Sequence, residues 1–117
     1  MTTLYGIPNC DTVKRARAWL DEHGVAYRFH DFKKEGVPEA ELDQWLKSPG
    51  WEALVNRRGT TWRRLDDATR AGVVDAASAR AALLAHPSLI KRPVVRWGAS
   101  AVVTTGFDAD QWKSHVV

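Results

Sequence analysis

Two hydrophobic periods alternate along the chain. Leu4 to Ile7 is an apolar run of strand length, after which Val13, Ala16 and Leu20 recur at i, i+3 and i+7, the spacing of one buried helix face. Gly24 stops that helix. Val25 to Phe32 then predicts a second strand, with Tyr27 and Phe29 alternating with Arg28 and His30, so one face is covered and the other is more polar. A helix between two strands at this spacing reads as a right-handed βαβ unit with parallel strands.

From Lys33 the pattern changes. Lys33 to Pro38 reads as a linker, with Pro38 suited to a first helical position. Leu42, Trp45 and Leu46 form a helical stripe that ends at Ser48-Pro49-Gly50, and a short helix is expected from Trp51 through Val55. Asn56 to Thr61 is a polar loop. Thr61 is placed to cap a short segment containing Leu65, which Gly72 ends, and Asp75 to cap the alanine-rich helix Ala76 to Ala85. The middle of the chain is thus all helical. His86 to Lys91 breaks the helix, and Pro93 to Trp97 resumes strand character. Gly98-Ala99-Ser100 is a turn of hairpin length, followed by a strand from Ala101 to Thr105. Gly106 and Asp108 lead into a last helix with Phe107, Gln111 and Trp112 near its start. The layout is βαβ, then helices, then ββα: an α/β fold with a small mixed sheet and helices on both faces.

Composition narrows this only slightly. A chain of 117 residues, 44% apolar and 26% charged, is one ordinary folded domain rather than a disordered segment. A single cysteine precludes an internal disulfide and fits a reducing compartment. Met1 to Tyr5 lacks the basic start of a secretory signal, and apolar runs such as Ala81 to Ala85 are too short to cross a membrane, so a cytoplasmic protein with no membrane association is expected. The net charge of +3 comes from scattered basic pairs, Lys14-Arg15, Lys33-Lys34, Arg57-Arg58, Arg63-Arg64 and Lys91-Arg92. These suit solvated surface, small anions or acidic partners, and direct nucleic-acid binding is not expected.

The candidate chemistry centres on Cys10. Pro8, Asn9, Asp11 and Thr12 around it mark a polar turn, not a core segment. A thiol at a helix start faces N–H groups without intrahelical acceptors and the positive end of the dipole, so it ionises more readily than a free one. The competing reading is a small buried apolar residue, the usual fate of a free cysteine. A thiol after the first strand, at the head of the first helix, is the thioredoxin-type arrangement. There Cys-x-x-Cys supplies the nucleophile and its resolving partner. Here the second position is Val13, so a mixed disulfide at Cys10 must be resolved from outside, by glutathione or a separate thiol protein. Proline at the start of a buried strand is explained by a cis Arg92–Pro93 bond that turns the backbone toward Cys10. His23, His30, His86 and His115 have no partner at metal-ligand spacing, so no metal site is expected. A phosphate-cradling glycine loop is absent, and so is a Cys-x5-Arg loop, since position 16 is alanine. The six tryptophans read mostly as core or core-rim packing.

Three blocks together, Leu4 to Cys10, Lys14 to Leu20 and His86 to Pro93, resemble the arsenate reductase-like (ArsC/Spx) family. Gly50 to Leu54, Arg58 to Arg63 and Gly106-Phe107-Asp108 look most like its small YffB-type members. The resemblance implies a single thioredoxin-like domain over residues 1–117 with a helical insertion at about 34–86. It further implies a thiol-dependent reductase with Cys10 as nucleophile; with no resolving cysteine in the chain, glutathione is the expected co-substrate, and no bound cofactor is expected. Its partners would be glutathione or a glutaredoxin-type thiol donor. Asn9, Thr12, Lys14, Arg58, Arg92 and Pro93 would form the substrate side. Arg92 matches the arginine before the family's cis-proline, and a second family arginine falls on Arg58 or Arg57. The third arginine of the arsenate enzymes would fall near Val103 to Thr105, where no basic residue stands, and their histidine four positions before the cysteine is here Gly6. Both departures count against arsenate. The alternatives are a non-enzymatic, Spx-like protein-binding regulator, for which the usual second cysteine is replaced by Val13, or an arsenate reductase.

Overall fold

The first apolar run forms β1, Thr2–Gly6, and the helical stripe after it forms α1, Asp11–Glu22. The computed structural model describes every residue except Ala99 and Val117, and the chain divides into two compact units, Met1–Gly36 with Arg92–Val117, and Val37–Lys91. In the first unit, β2 (Tyr27–Asp31) lies parallel to β1, completing the expected βαβ. On the other side of β1 runs β3 (Val94–Arg96), antiparallel, and beyond it β4 (Val103–Thr105), so the strand order is β2-β1-β3-β4.

Register decides which side chains share a face. Leu4 pairs with Phe29 and with Val95, and because side chains alternate along a strand these three point to one side. Val13, Ala16, Trp19 and Leu20 of α1 pack there with Trp97 and with Trp112 of the last helix, here α2, Ala109–His115. Trp112 meets Trp19, Trp97 and Phe107 edge-on, the arrangement that ring quadrupoles favour. Asp108 caps α2 by accepting the N–H groups of Asp110 and Gln111. The opposite face carries Tyr5, His30 and Val94, and the ring of Phe32 stacks 6.4 Å from that of Tyr5.

The segment read as a linker from Lys33 contains a helical turn, α3, Phe32–Glu35. Asp31 accepts the Lys33 N–H at 2.9 Å and the Glu35 carboxylate accepts the Asp31 N–H, two local bonds that the hydrophobic pattern does not register. Gly36, at φ +76°, ends the turn in a conformation that glycine adopts without steric cost. The predicted turn at Gly98-Ala99-Ser100 includes Ala99, which lies outside the described residues. Around it, Trp97 and Val102 close the β3–β4 connection through a backbone hydrogen bond of 2.9 Å.

The second unit is helical: α4 (Glu39–Trp45), α5 (Trp51–Leu54), α6 (Thr60–Arg64), α7 (Asp67–Ala71) and α8 (Ala76–Ala85). Leu42, Trp45, Leu54, Leu83, Leu89 and Ile90 are among its fully buried side chains. Pro38 is extended and precedes α4 instead of opening it, its carbonyl accepting the Leu42 N–H. Thr61 lies inside α6 and caps nothing; Asp66 caps the next helix through the Thr69 N–H. Asp75 caps α8 as expected, in a reciprocal box with Ser78. Arg80 of α8 bonds Asp43 and Glu39, tying that helix to α4. No helix among the described residues is long and apolar enough to cross a membrane.

Candidate functional site

Cys10 is the N-cap of α1. Its backbone is extended (φ −140°, ψ 124°), and its carbonyl accepts the first intrahelical bond, from the Lys14 N–H at 2.9 Å. The N–H groups of residues 11 to 13 therefore have no carbonyl inside the helix and point back toward the turn that holds the thiol. The cysteine is half-buried: it lies against the core cluster of α1 and β1 while keeping part of its surface in solvent. Such placement follows from the sequence directly, since β1 ends at Gly6 and α1 starts at Asp11, leaving Ile7 to Cys10 as the strand-to-helix turn.

Gly6 is held by packing. A Cβ at this position would stand 2.9 Å from Val13 Cγ2, so β1 can approach the first turn of α1 only with glycine there. The same contact leaves no room for a histidine four residues before the cysteine.

Arg92 and Pro93 precede β3, and the Arg92–Pro93 bond is cis, as anticipated from the sequence. Val94 pairs with Tyr5, so one step outward in the same register Pro93 falls opposite Gly6, at the end of β1 that runs into the Cys10 turn. Pro93 is buried and Arg92 half-buried. The carbonyl of Pro93 accepts the Gly106 N–H at 2.9 Å, fixing the bend against the end of β4. Asn9 and Lys14 are exposed and Thr12 half-buried on the turn itself. Of the predicted site residues, Asn9, Cys10, Thr12, Lys14, Arg92 and Pro93 thus belong to the sheet-bearing unit, and Arg58 to the helical one.

In the helical unit the loop after α5 is framed tightly. Val55 bridges Ile90, Asn56 N–H donates to the Leu89 carbonyl, and Lys91 N–H to the Leu54 carbonyl, both at 2.8 Å. Asn56 also accepts the Arg58 N–H at 3.1 Å. Arg57 lies over two indole rings, 5.7 Å from the centre of Trp51 and 5.5 Å from that of Trp62. The spacing of the tryptophans along the sequence assigns most of them to packing. Trp45, Trp97 and Trp112 do pack, whereas half-buried Trp51 and Trp62 each present a face to a guanidinium. A tryptophan six residues before an arginine and another five after it gave no recognisable signal. Among the described residues no group of three or more histidines, cysteines and carboxylates is arranged to hold a metal.

Comparison with known proteins agrees with this geometry. The ArsC family model matches residues 5–115. A structure of the YffB protein superimposes with a TM-score of 0.91 at 45% identity over all of both chains. An arsenate reductase (ArsC) related protein from Brucella melitensis gives a TM-score of 0.74 at 49% identity, covering 97% of this chain and 92% of that one. Among curated sequences, an uncharacterized protein of Haemophilus influenzae is 39% identical over 97% of each chain, and the global transcriptional regulator Spx of Streptococcus agalactiae is 30% identical over 81% of this chain and 69% of its own. With its mixed four-stranded, thioredoxin-like sheet and a match nearly end to end, the chain belongs to the ArsC family.

Proposed function

We propose that the protein is a thiol-dependent reductase in which Cys10 is the nucleophile and glutathione the co-substrate. One observation carries this reading: the only cysteine is half-exposed at the head of α1, on the turn that leaves β1 opposite the bend at Pro93. The Cys10 thiolate attacks one sulfur of a substrate disulfide, forming a mixed disulfide, and the other sulfur leaves as a thiolate that takes a proton. A glutathione thiolate then attacks the substrate-derived sulfur. This returns Cys10 as a thiolate and leaves the substrate bonded to glutathione, reducible in turn by a second glutathione. The free N–H groups of residues 11 to 13 and the Thr12 hydroxyl steady the anionic sulfur, and Arg92 pairs with carboxylates of the incoming thiol. Arsenate fits less well, because Val13 crowds position 6 and β4 lacks an arginine.

The test is incubation with oxidised glutathione followed by mass spectrometry of the intact chain and its peptides. A single glutathione adduct at Cys10, removed by reduced glutathione and absent in Cys10→Ser, is the expected result. No adduct under conditions that modify a free cysteine peptide would refute the reading.

The likeness to Spx favours a second reading, in which the chain binds a protein partner without catalysis. In that case Cys10→Ser retains a captured partner at wild-type affinity, and thiol turnover is absent in both forms.

A further inference from the structure

Val13, Ala16, Trp19 and Leu20 fix the inward side of α1, which leaves Asp11, Lys14, Arg15, Ala18, Asp21 and Glu22 exposed on its outer face. Charge is ordered along that face. At about 100° per residue, Lys14 and Asp21 lie two turns apart along one border, Arg15 and Glu22 lie likewise along the other, and Ala18 stands at the centre. Both bases sit on the Cys10 side of Ala18, and Asp21 and Glu22 sit beyond it.

None of these four charges is neutralised inside the chain. Among the described residues, Lys14, Arg15, Asp21 and Glu22 form no ion pair with one another, with Asp11 or with any other side chain. The bases stand about two turns from Asp21 and Glu22, beyond the spacing of about three or four residues at which side chains on one helix meet. A base-then-acid order about a small central residue is complementary to its own reverse. A second α1 laid antiparallel, Ala18 against Ala18, brings Lys14 to Asp21 of the second copy and Arg15 to its Glu22, and symmetry repeats both contacts. Laid parallel, the same face would set like charges opposite one another. The small side chain of Ala18 lets the two helices approach closely where they cross.

We infer that this face of α1 docks on the same face of a second copy of the chain, antiparallel and related by a two-fold axis at Ala18. The pairing is non-covalent. Cys10 precedes Ala18 by about two turns, so the two thiols of such a pair stand about 24 Å apart along the helix axes. Lys14, one turn after Cys10, is engaged, so each copy sets its Asp21 carboxylate against a cation of the other's thiol turn. Exposed ion pairs are individually weak and screened by salt, so the association is loose and belongs to concentrated protein at low ionic strength. It uses no chemistry of Cys10 and stands or falls separately from the reductase reading.

Sedimentation equilibrium of the full-length protein tests it with two charge-reversed forms. One carries Asp21→Lys with Glu22→Lys, the other Lys14→Glu with Arg15→Glu. Both put new charge where the helix dipole favours it, cations toward the C-terminus and anions toward the N-terminus, so the helix is retained. In about 20 mM salt the wild type should rise above monomer mass as its concentration approaches the millimolar range, and return to it in about 0.5 M salt, where screening acts within a few ångströms. Each reversed form alone should stay monomeric, and an equimolar mixture of the two should associate. In a Cys10→Ser background, Ala18→Cys should form a disulfide-linked dimer several-fold faster than Ala26→Cys, an exposed position beyond the helix, and lose that lead in high salt. A wild type that stays monomeric at low salt, a mixture that does not associate, or cross-linking at position 18 no faster than at position 26 overturns the inference. The glutathione adduct at Cys10 is measured separately, so either reading can fail without the other.

Discussion

Gly6 and Val13 meet so closely that a methyl group on the glycine would lie 2.9 Å from a methyl of the valine. The contact joins the end of the central strand to the first turn of the helix that carries the thiol, so it sets how Cys10 is presented. Gly6→Ala should cost about 1–3 kcal/mol, the usual range for overpacking a tight core, because a β-branched side chain in a helix has little rotamer freedom to move aside. In a Val13→Ala background the same change should cost much less. Urea denaturation of the four proteins in this cycle measures the coupling, and strict additivity would show that the two residues do not press on each other.

Acid should weaken the helical unit from its caps. The Ser78 backbone N–H, and then its hydroxyl, hold the Asp75 carboxyl below its ordinary value of 3.8; the Thr69 side chain and backbone N–H do the same for Asp66. Both carboxyls have folded-state pKa values under their unfolded ones. The stability they contribute is fully present above the ordinary aspartate range and is lost as pH falls through the lower folded values. Unfolding curves between pH 6 and about pH 2.5 should therefore show Asp75→Asn less stable than wild type at the upper end and converging with it at the lower end. A gap that stays constant with pH would contradict the capping role.

Arg70 gathers three carbonyls from the end of α6 and also pairs with Asp67. Arg70→Met keeps the aliphatic stem and removes the donors, and should destabilise the protein by about 1–3 kcal/mol through carbonyls left without their charged partner. Trp62 should loosen as well, which a red shift of tryptophan emission or faster quenching by acrylamide would report. Unchanged emission with reduced stability would mean that Arg70 supports the turn but not the ring.

Much of this was readable from residue order alone. The i, i+3, i+7 stripe of Val13, Ala16 and Leu20, the alternation at Tyr27 to His30, and the Asp75 cap all act over a few residues, and each produced the element it predicts. Cys10 at the helix head needed only the end of one pattern and the start of the next. The missed features depend on side chains bonding to backbone or meeting across long separations. The turn α3 exists because Asp31 and Glu35 bond nearby N–H groups, and Pro38 precedes its helix because its carbonyl, not its ring, is what α4 uses. Likewise, no local pattern places Arg57 over the rings of both Trp51 and Trp62, since the three are brought together by the path of the loop between α5 and α6.

Having one sulfhydryl and no neighbour for it at Val13, this chain cannot close a disulfide within itself. A disulfide at this sulfur therefore always joins it to another molecule or to a second copy of the chain, and oxidation by peroxide adds oxygen to it first. Storage without reductant should accordingly change the particle's weight while leaving its backbone dichroism as it was.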